Sequence, residues 1–289
     1  RVGHPAKIRA AEPRKQKNDR RDARLLLTLL VENRFPAIWM PSAEQRDLQI
    51  LLRHRDQFVR IRTRVQLSLQ ALALSHGLRR GHALWTSAGQ HTLRTLPLAA
   101  HASEQRDTLL ALQPQLQSPI DALDREVEKQ AQQRPQSQRL MTHPGVGPIT
   151  ALATEVFLGN PSRFADGKAV ASYVGMIPSE RSSGKHQRFG RLSKQGNSLL
   201  RFLWGEAAIH AVRRDPELRR FYRRKLVQKG MGKARMAAAR KLGIRLWIML
   251  RDEIDYTEFC RRGRLRRQCS GAAGAGMPGA GQWSNGPSV

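Results

Sequence analysis

Four features are scarce in this chain: cysteine, aromatic side chains, acidic side chains and long apolar runs. Its two cysteines, Cys260 and Cys269, cannot build a disulfide framework and lack the spacing of a metal site, so a reducing cytoplasm fits. The longest apolar run, residues 25–31, is too short to span a bilayer, and no signal-peptide pattern is visible, so we expect no membrane partner. Aromatic residues make up 6% of the chain while Leu, Ala and Arg dominate, which favours helices over strands.

The shortage of acids leaves a strong positive charge. Fifty-one Lys and Arg oppose 23 Asp and Glu, which gives a net charge of +28 and a pI near 11.6. The excess is uneven, because 27 cations face 9 acids between Arg163 and Arg267. A compact body with this charge repels itself unless a polyanion neutralises it, and counterion release drives such proteins onto nucleic acids. Composition alone also fits an arginine-rich genome or a ribosomal type of RNA-binding protein.

Apolar periodicity and helix breakers divide the chain into predicted regions. Residues 1–18 are basic and contain two prolines, so we expect an extended segment or loop there, followed by a helix from Asp19 to Asn33. Residues 269–289 carry no charged side chain and are rich in Gly, Ala, Ser and Pro, which predicts disorder. The chain starts at Arg1 rather than Met, and we expect it to be part of a longer protein.

Two long helices are predicted in the middle of the chain. Ser42, with Gln45 three residues later, has the pattern of a capping box, and the helix that follows extends to Gly77. A second long helix, from Ser103 to Gln133, is expected to return against the first. Apolar residues spaced by sevens in the first helix fit a helical hairpin or coiled-coil arm, and they fit an ordinary bundle helix equally well.

The stretch LMTHPGVGPITALAT, residues 140–154, predicts a helix-hairpin-helix motif. Two helices flank a tight turn in which Gly145, Val146 and Gly147 can bring backbone N–H groups close to a DNA phosphate. The positive N-terminal end of the second helix is directed at the same anion. A plain helical turn is the alternative.

The stretch SSGKHQRFGRLSKQGN, residues 182–197, combines hydroxyls, glycines and cations in one loop. Such a loop can hold a phosphodiester, its cations can stabilise charge on the phosphoryl group, and a serine there can be a nucleophile. No neighbouring general base is evident, so chemistry alone favours a loop that only binds the phosphate backbone. The cations predicted to bind DNA are Lys185, Arg188, Arg191 and Lys194, with Arg201 in the helix that follows.

The stretch KNDRRDAR, residues 17–24, places two acids three residues apart at the start of a helix. The carboxylates of Asp19 and Asp22 can point the same way and, with further acids, hold Mg²⁺. Spacing alone favours a simpler interpretation, in which Asp19 caps the helix and Asp22 stabilises its dipole. No metal-ligand spacing relates His143, His186 and His210, which are interpreted as ordinary polar residues.

Together these stretches resemble one family, the DEDD-type bacterial insertion-sequence transposases. This is the insertion-sequence family one-ten, also called bridge-RNA-guided serine recombinases, and the resemblance covers roughly residues 1–262. KNDRRDARLL resembles the end of the family's RuvC-like catalytic domain, which has the RNase H fold. Four further stretches resemble the family's C-terminal transposase domain: PGVGPITA, ASYVGMIPSERSSGK, GRLSKQGNSLLR and KLGIRLWIMLRDEIDYTEF.

The resemblance implies a mainly α fold in four parts. These are a remnant of the RuvC-like domain (1–40), a long helical or coiled-coil region (41–135), a helical transposase domain with the helix-hairpin-helix (136–262) and a disordered tail (263–289). In the family, the first Asp and the Glu of the DEDD set precede the KNDRRDAR stretch. We therefore expect an N-terminally truncated or decayed copy.

The resemblance also implies a chemistry and its partners. Asp19 and Asp22 match the last two acids of the DEDD set and so become Mg²⁺ ligands, while Ser183 best matches the serine that attacks DNA, with Ser182 as the competing choice. The implied reaction is a Mg²⁺-assisted attack on a phosphodiester, through a covalent DNA–serine intermediate. Implied partners are double-stranded DNA, a structured guide RNA and further copies of the chain in a dimer or tetramer, in the bacterial cytoplasm. The alternative is a catalytically inactive DNA- or RNA-binding remnant.

Overall fold

The computed structural model describes residues 2–12, 18–79, 81–180 and 188–263, so the predicted disordered tail lies outside it from residue 264 on. The prediction of a mainly helical protein is confirmed. Within these ranges, no helix is both long and apolar enough to cross a membrane. The helices are α1 Pro5–Ala11, α2 Asp19–Val31, α3 Ala43–Ser75, α4 Ser87–Arg94, α5 Ala100–Gln132, α6 Pro135–Met141, α7 Pro148–Leu158, α8 Gly167–Tyr173, α9 Ser198–Arg214 and α10 Pro216–Arg251. Strands β1 Pro178–Glu180 and β2 Phe189–Leu192 pair antiparallel, and short 3-10 helices form at Gly81–Trp85 and Pro161–Arg163.

The chain divides into two compact units within helix α3, after Asp47. Helix α3 begins with the predicted capping box, which is confirmed: the backbone N–H of Ser42 donates to Gln45 Oε1 and that of Gln45 to Ser42 Oγ, both at 3.1 Å. The capping bonds satisfy two backbone donors that a helix start otherwise leaves free. The predicted domain boundaries after residues 40, 135 and 262 stay predictions.

The first unit contains a helix in the segment that the sequence predicted to be extended. Helix α1 begins at Pro5, a position where the missing proline N–H costs nothing, and His4 Nδ1 accepts a hydrogen bond from the Lys7 N–H at 3.4 Å. The prediction for residues 1–18 was therefore wrong over this helix. Gly3 and Ala37 form an isolated antiparallel bridge, and the assignment of this unit to an RNase H-fold remnant stays a prediction.

The two long helices α3 and α5 pack antiparallel, as expected from the sequence. The guanidinium of Arg55 pairs with Asp124, while Arg62 Nη1 donates to Gln117 Oε1 at 2.8 Å. The residue number of the partner on α5 decreases from 124 to 117 as the residue number on α3 increases from 55 to 62, so the two helices run antiparallel. Beyond these polar pairs, Leu69 of α3 is fully buried in a small apolar cluster with side chains from α4 and α5.

The main core of the second unit forms around α7, α9 and α10. Helix α7 is buried along most of its length, from Thr150 to Leu158. The ring of Trp204 in α9 is fully buried, and its Nε1 donates to Thr154 Oγ1 of α7 at 2.9 Å. Gly243 of α10 lies under this ring, because a Cβ there would come within 2.1 Å of ring carbons. A glycine is therefore required where α10 crosses the indole.

Helix α10 is a hairpin of two helical halves, residues 216–229 and 231–251, which we call the α10 hairpin. Gly230 has φ +75° and ψ 170°, a left-handed conformation that favours glycine and breaks the helix. Lys241 Nζ lies 2.9 Å from Glu217 Oε1, and the Arg245 guanidinium pairs with Asp215. Residues at similar distances on either side of Gly230 are thus opposed, so the halves fold back on one another.

The carboxylate of Asp215 joins three elements at the base of the α10 hairpin. Its Oδ1 caps α10 by accepting from the Leu218 N–H at 2.8 Å, and its Oδ2 accepts from the Tyr256 hydroxyl at 3.0 Å and from the Arg245 guanidinium. Burial by itself raises the pKa of Asp215, but these donors and the Arg245 charge outweigh it and lower the pKa. Asp215 therefore stays ionised inside the protein.

His143 extends this polar cluster into the core, contrary to its interpretation as an ordinary polar residue. Its Nδ1 lies 3.0 Å from the Pro144 carbonyl and so carries the proton, while its Nε2 is buried without a hydrogen-bond partner in the described part of the chain. The ring centroid is 4.5 Å from that of Tyr256. Burial lowers the pKa of His143 to about 4, although the Pro144 carbonyl favours the charged form.

We expect His143 to make the protein less stable as the pH falls from 7 to 5. The folded-state pKa lies below the unfolded value of about 6.5, so the unfolded state binds more protons in this window and acid favours unfolding. The expected loss is about 2 kcal/mol, measured by urea unfolding at both pH values. His143→Phe keeps a ring against Tyr256 but cannot titrate, so it should lose that part of the pH dependence. An unchanged pH dependence in this variant would contradict the assignment.

Candidate nucleic-acid interface

The turn between α6 and α7 contains the sequence Gly145-Val146-Gly147, which was predicted to approach a phosphate. Gly145 has φ +91°, and a Cβ there would lie 2.4 Å from the backbone nitrogen of Ala211 in α9. The Val146 side chain is buried in the core, and its N–H donates to the His143 carbonyl at 3.1 Å. These two residues therefore hold the turn against α9.

The three residues Gly145, Val146 and Gly147 have different surroundings in this turn, and their predicted binding to phosphate stays a prediction. The Val146 N–H already donates to a carbonyl inside the turn, and the backbone of Gly145 packs against the backbone of α9. Gly147 differs, because it is exposed, caps α7 with φ −98°, and has open space where a Cβ would be. An anion at this turn would meet Gly147 and the first turn of α7. Helix-hairpin-helix binding to DNA stays a prediction.

Strands β1 and β2 flank the predicted catalytic loop. Ser183, its alternative Ser182 and the cation Lys185 lie outside the described residues, which stop at Glu180 and resume at Arg188. Arg188 and Arg191 are exposed on or beside β2, and Lys194 is exposed in the turn after it. Three of the predicted cations thus lie exposed within seven residues of one another, on or next to strand β2.

The base of this β-hairpin is held by contacts between two glycines and the backbone. Gly175 has φ +74°, and a Cβ there would lie 2.5 Å from the Gln195 carbonyl oxygen. A Cβ at Gly196 would lie 2.3 Å from the Tyr173 carbonyl oxygen, and the Lys194 N–H donates to the Gly175 carbonyl at 3.1 Å. The two chain segments therefore approach as closely as backbones can, which positions both strands.

Arg201, which the sequence predicted to bind DNA, has a structural role in the same place. Its Nη1 donates to the carbonyl oxygens of Val174 at 2.8 Å and Lys194 at 3.4 Å. The guanidinium thus links helix α9 to the two chain segments, at Val174 and at Lys194, that form the base of the β1–β2 hairpin. These bonds use part of the donor capacity of Arg201, and its predicted role in DNA binding stays a prediction.

The two predicted metal ligands lie in the first turn of α2. The helix is capped by Asn18, whose Oδ1 accepts from the Arg20 N–H at 3.0 Å, so the interpretation of Asp19 as the cap was wrong. Asp19 and Asp22 are both exposed and favour the helix dipole. Among the described residues, no group of three or more His, Cys, Asp or Glu side chains is arranged to hold a metal.

A further positive surface among the described residues is the α10 hairpin, which was not singled out from the sequence. Residues 218–251 contain twelve Lys and Arg and no Asp or Glu, a run that the sequence alone could have revealed. Four of these cations pair with acids at the base of the hairpin or nearby. The other eight make no ion pair within the described ranges: Arg219, Arg220, Arg223, Arg224, Lys225, Lys229, Lys233 and Arg240.

A groove of ≈ 1020 Å³ runs between the α10 hairpin and the helical segment 256–263. Aromatic rings line it, namely Phe221, Tyr256 and Phe259, beside the cations Arg220, Arg224, Arg240, Lys241 and Arg245. The acids in its wall are Asp215 and Glu217, both of which are paired with Lys241 or Arg245. Unpaired cations beside aromatic faces suit a ligand that carries both phosphates and rings.

A mainly helical fold with cations gathered on one hairpin, whose acids are confined to its base, is typical of proteins that bind polyanions. Comparison with known proteins gives a more specific result. Residues 137–223 match the family described as Transposase IS116/IS110/IS902 family, and residues 2–76 match a DEDD family described as Transposase. Together the two matches cover more than half of the chain. The chain belongs to the IS110/IS116/IS902 family of insertion-sequence transposases.

Similarity to curated relatives extends over most of the chain. The chain is 28% identical over 249 residues to a "Probable family 20 transposase" of Pseudomonas aeruginosa, and this similarity covers 83% of this chain and 74% of the relative. It is 26% identical over 254 residues to the transposase for insertion sequence element IS1111A of Coxiella burnetii, covering 83% and 68%. A third relative, the transposase for element IS1328 of Yersinia enterocolitica, is 23% identical over 219 residues, covering 72% and 64%.

We expect Gly145→Ala to destabilise the protein by about 2 kcal/mol or more, and Gly147→Ala by less than about 1 kcal/mol. The first substitution puts a methyl group against the α9 backbone at a positive φ, whereas the second meets open space at an ordinary φ. Urea unfolding of the matched pair measures the difference. Equal losses would show that the contact with α9 does not hold the turn.

Proposed function

We propose that this transposase binds double-stranded DNA through the exposed cations of the α10 hairpin and cuts and rejoins DNA strands at the loop between β1 and β2. The observation that carries the binding proposal is the group of eight hairpin cations without an acidic partner in the described residues. Their mutual repulsion is a cost to the free protein that a row of phosphates removes. Binding also releases the counterions condensed on DNA, which gives a favourable free energy at low salt.

The binding proposal predicts that three exposed hairpin cations control the salt dependence of DNA affinity. Replacing Arg220, Arg223 and Arg224 together with Gln should reduce the slope of log K against log salt by about 1 per residue. At 100 mM salt, this corresponds to roughly a hundredfold or greater loss of affinity. Filter binding over a salt series with a random-sequence duplex measures both quantities.

The matched control replaces three exposed arginines outside the hairpin: Arg64, Arg79 and Arg125. This control removes the same total charge, so a general effect of net charge would appear equally in both variants. The proposal requires that the control keep most of the wild-type slope. Equal losses in the two variants would contradict a specific interface on α10.

We propose that Ser183 is the nucleophile, with Ser182 as the alternative. Its Oγ would attack a phosphorus of the DNA backbone and form a new P–O bond to serine. The P–O bond to a deoxyribose oxygen breaks, and that oxygen leaves as a hydroxyl after taking up a proton, while the serine proton passes to solvent. Arg188, Arg191 and Lys194 support this proposal, because cations at a phosphoryl group stabilise its developing negative charge.

Mg²⁺ is the cofactor that the family resemblance implies, and the described residues fit it only in part. Asp19 and Asp22 supply two exposed carboxylates on one face of α2, and Mg²⁺ is often bound by one or two carboxylates with waters and substrate phosphates. We propose that these two residues contribute to such a site when DNA is bound. When bound, the ion would neutralise phosphate charge.

The serine proposal predicts a covalent DNA–protein adduct that Ser183→Ala abolishes and Ser182→Ala does not. DNA affinity should stay within about twofold in both variants, because the cations supply most of the attraction to phosphate. Denaturing gels with labelled DNA and Mg²⁺ detect the adduct, and filter binding checks the affinity. Loss of the adduct only in Ser182→Ala would exchange the two roles. Salt-sensitive binding by the unmodified chain without any adduct would favour the alternative, an inactive DNA- or RNA-binding remnant.

We further propose a structured RNA and other copies of the chain as partners. The groove beside Phe221 and Phe259 supports an RNA partner, because unstacked bases bind to aromatic and arginine faces. Helix α2 supports self-association into a dimer or tetramer, since Leu27 and Val31 are exposed together on its surface. Both partners follow the family resemblance, and the structure adds surfaces that could receive them.

A further inference from the structure

We infer that the apex of the α10 hairpin, residues 226–233, is a wedge that enters the base stack of duplex DNA. This inference rests on the proposed DNA binding and adds a second component to it. The halves of the hairpin are joined at their base by the pairs Asp215–Arg245 and Glu217–Lys241. Gly230 lies thirteen residues beyond Glu217, about 20 Å along a helix, so the apex is the end remote from those pairs.

The apex exposes large apolar side chains that no part of the described fold covers. Val227 is 90% exposed and Met231 is 71% exposed, and neither belongs to the apolar clusters of the second unit. Every residue from 227 to 233 is exposed. The exposure of two large apolar side chains to water is unfavourable in free energy, and a partner that buried them would remove this cost.

The charges around the apex identify the chemistry of that partner. Lys225, Lys229 and Lys233 flank the two apolar residues in the sequence, and no acid is present between Glu217 and Asp252. The partner must therefore be anionic at its surface and apolar just behind that surface. Duplex DNA has this arrangement, because its phosphates enclose stacked bases, and methionine and aliphatic side chains are known to enter base steps.

The glycines of the apex give an independent argument. Gly230 has a positive φ, which accounts for its identity. Gly232 has no such conformation, and a Cβ there would meet nothing within 4 Å, so neither strain nor packing in the described part of the chain explains it. A helix interior ordinarily disfavours glycine by about 1 kcal/mol relative to alanine. An apex without side chains at these two positions is narrow, as insertion between base pairs requires.

Permanganate oxidation of unstacked thymines tests the wedge directly. The probe is a DNA fragment containing every dinucleotide step, saturated with the full chain at low salt. Wild-type protein should raise thymine reactivity, most at the flexible TA and CA steps. Val227→Ser with Met231→Ser should abolish this rise while affinity falls by no more than about tenfold, since phosphate contacts carry most of the binding. Val227→Ile with Met231→Leu should preserve the rise.

The matched control is Leu67→Ser with Leu74→Ser, which removes two exposed apolar side chains, 59% and 52% exposed, from α3. This control should leave thymine reactivity unchanged. Reactivity that persists in the apex serine variant, or that never rises although DNA is bound with a steep salt dependence, would overturn the wedge and leave DNA binding standing. No DNA binding at all would overturn the proposed function itself.

Two other occupants of the apex are separated by the same variants. Sedimentation without DNA would show whether the apex serine variant dissociates a dimer, which would assign the apex to a second copy of the chain. Flotation with vesicles of anionic phospholipid would show whether the apex binds a membrane surface. Either result would overturn the wedge if the wild-type protein also bound DNA without raising thymine reactivity.

Discussion

The geometry of the C-terminal unit depends on one buried carboxylate. Asp215 caps α10, pairs with Arg245 of the returning half and accepts from Tyr256 of the following segment, so a single side chain joins three parts of the chain. Removing one partner of a buried ion pair typically costs about 3–5 kcal/mol, because the other charge is left without compensation. The packing of His143 against Tyr256 then connects this cluster to the turn before α7.

This anchoring allows the α10 hairpin to concentrate positive charge. Its acids are confined to the base, where Asp215 and Glu217 neutralise Arg245 and Lys241, and the hairpin beyond them is cationic only. The apolar contact of Trp204 with Gly243 holds the second half against α9 without any charge. The ion pairs that stabilise the hairpin thus lie at its base, and the cations through which we propose that it binds DNA lie beyond them. Because the base stabilises the hairpin, the exposed cations beyond it can repel one another without unfolding it. That repulsion favours association with a polyanion.

Glycines serve different purposes in and beside the two loops that the sequence associated with phosphate. Gly145, Gly175 and Gly196 let backbones touch inside the protein, whereas Gly147 faces open space. Their identity alone could not separate these uses, because what a glycine allows depends on the atoms that other elements place beside it. The same holds for Arg201, whose charge predicted DNA binding and whose guanidinium links two loop segments.

The sequence by itself determined the helical class, the long helices with their capping box, the excess of cations and the family resemblance, because each is a local or summed property of the chain. It missed α1 and predicted an extended segment or loop there, since proline as a first helical residue looks like a breaker. Only the tertiary structure decided the fold-back of α10, the burial of His143 and the roles of Gly145 and Val146. Each of these depends on contacts between residues far apart in the chain, such as Asp215 with Arg245, and no local pattern records which distant atoms will meet.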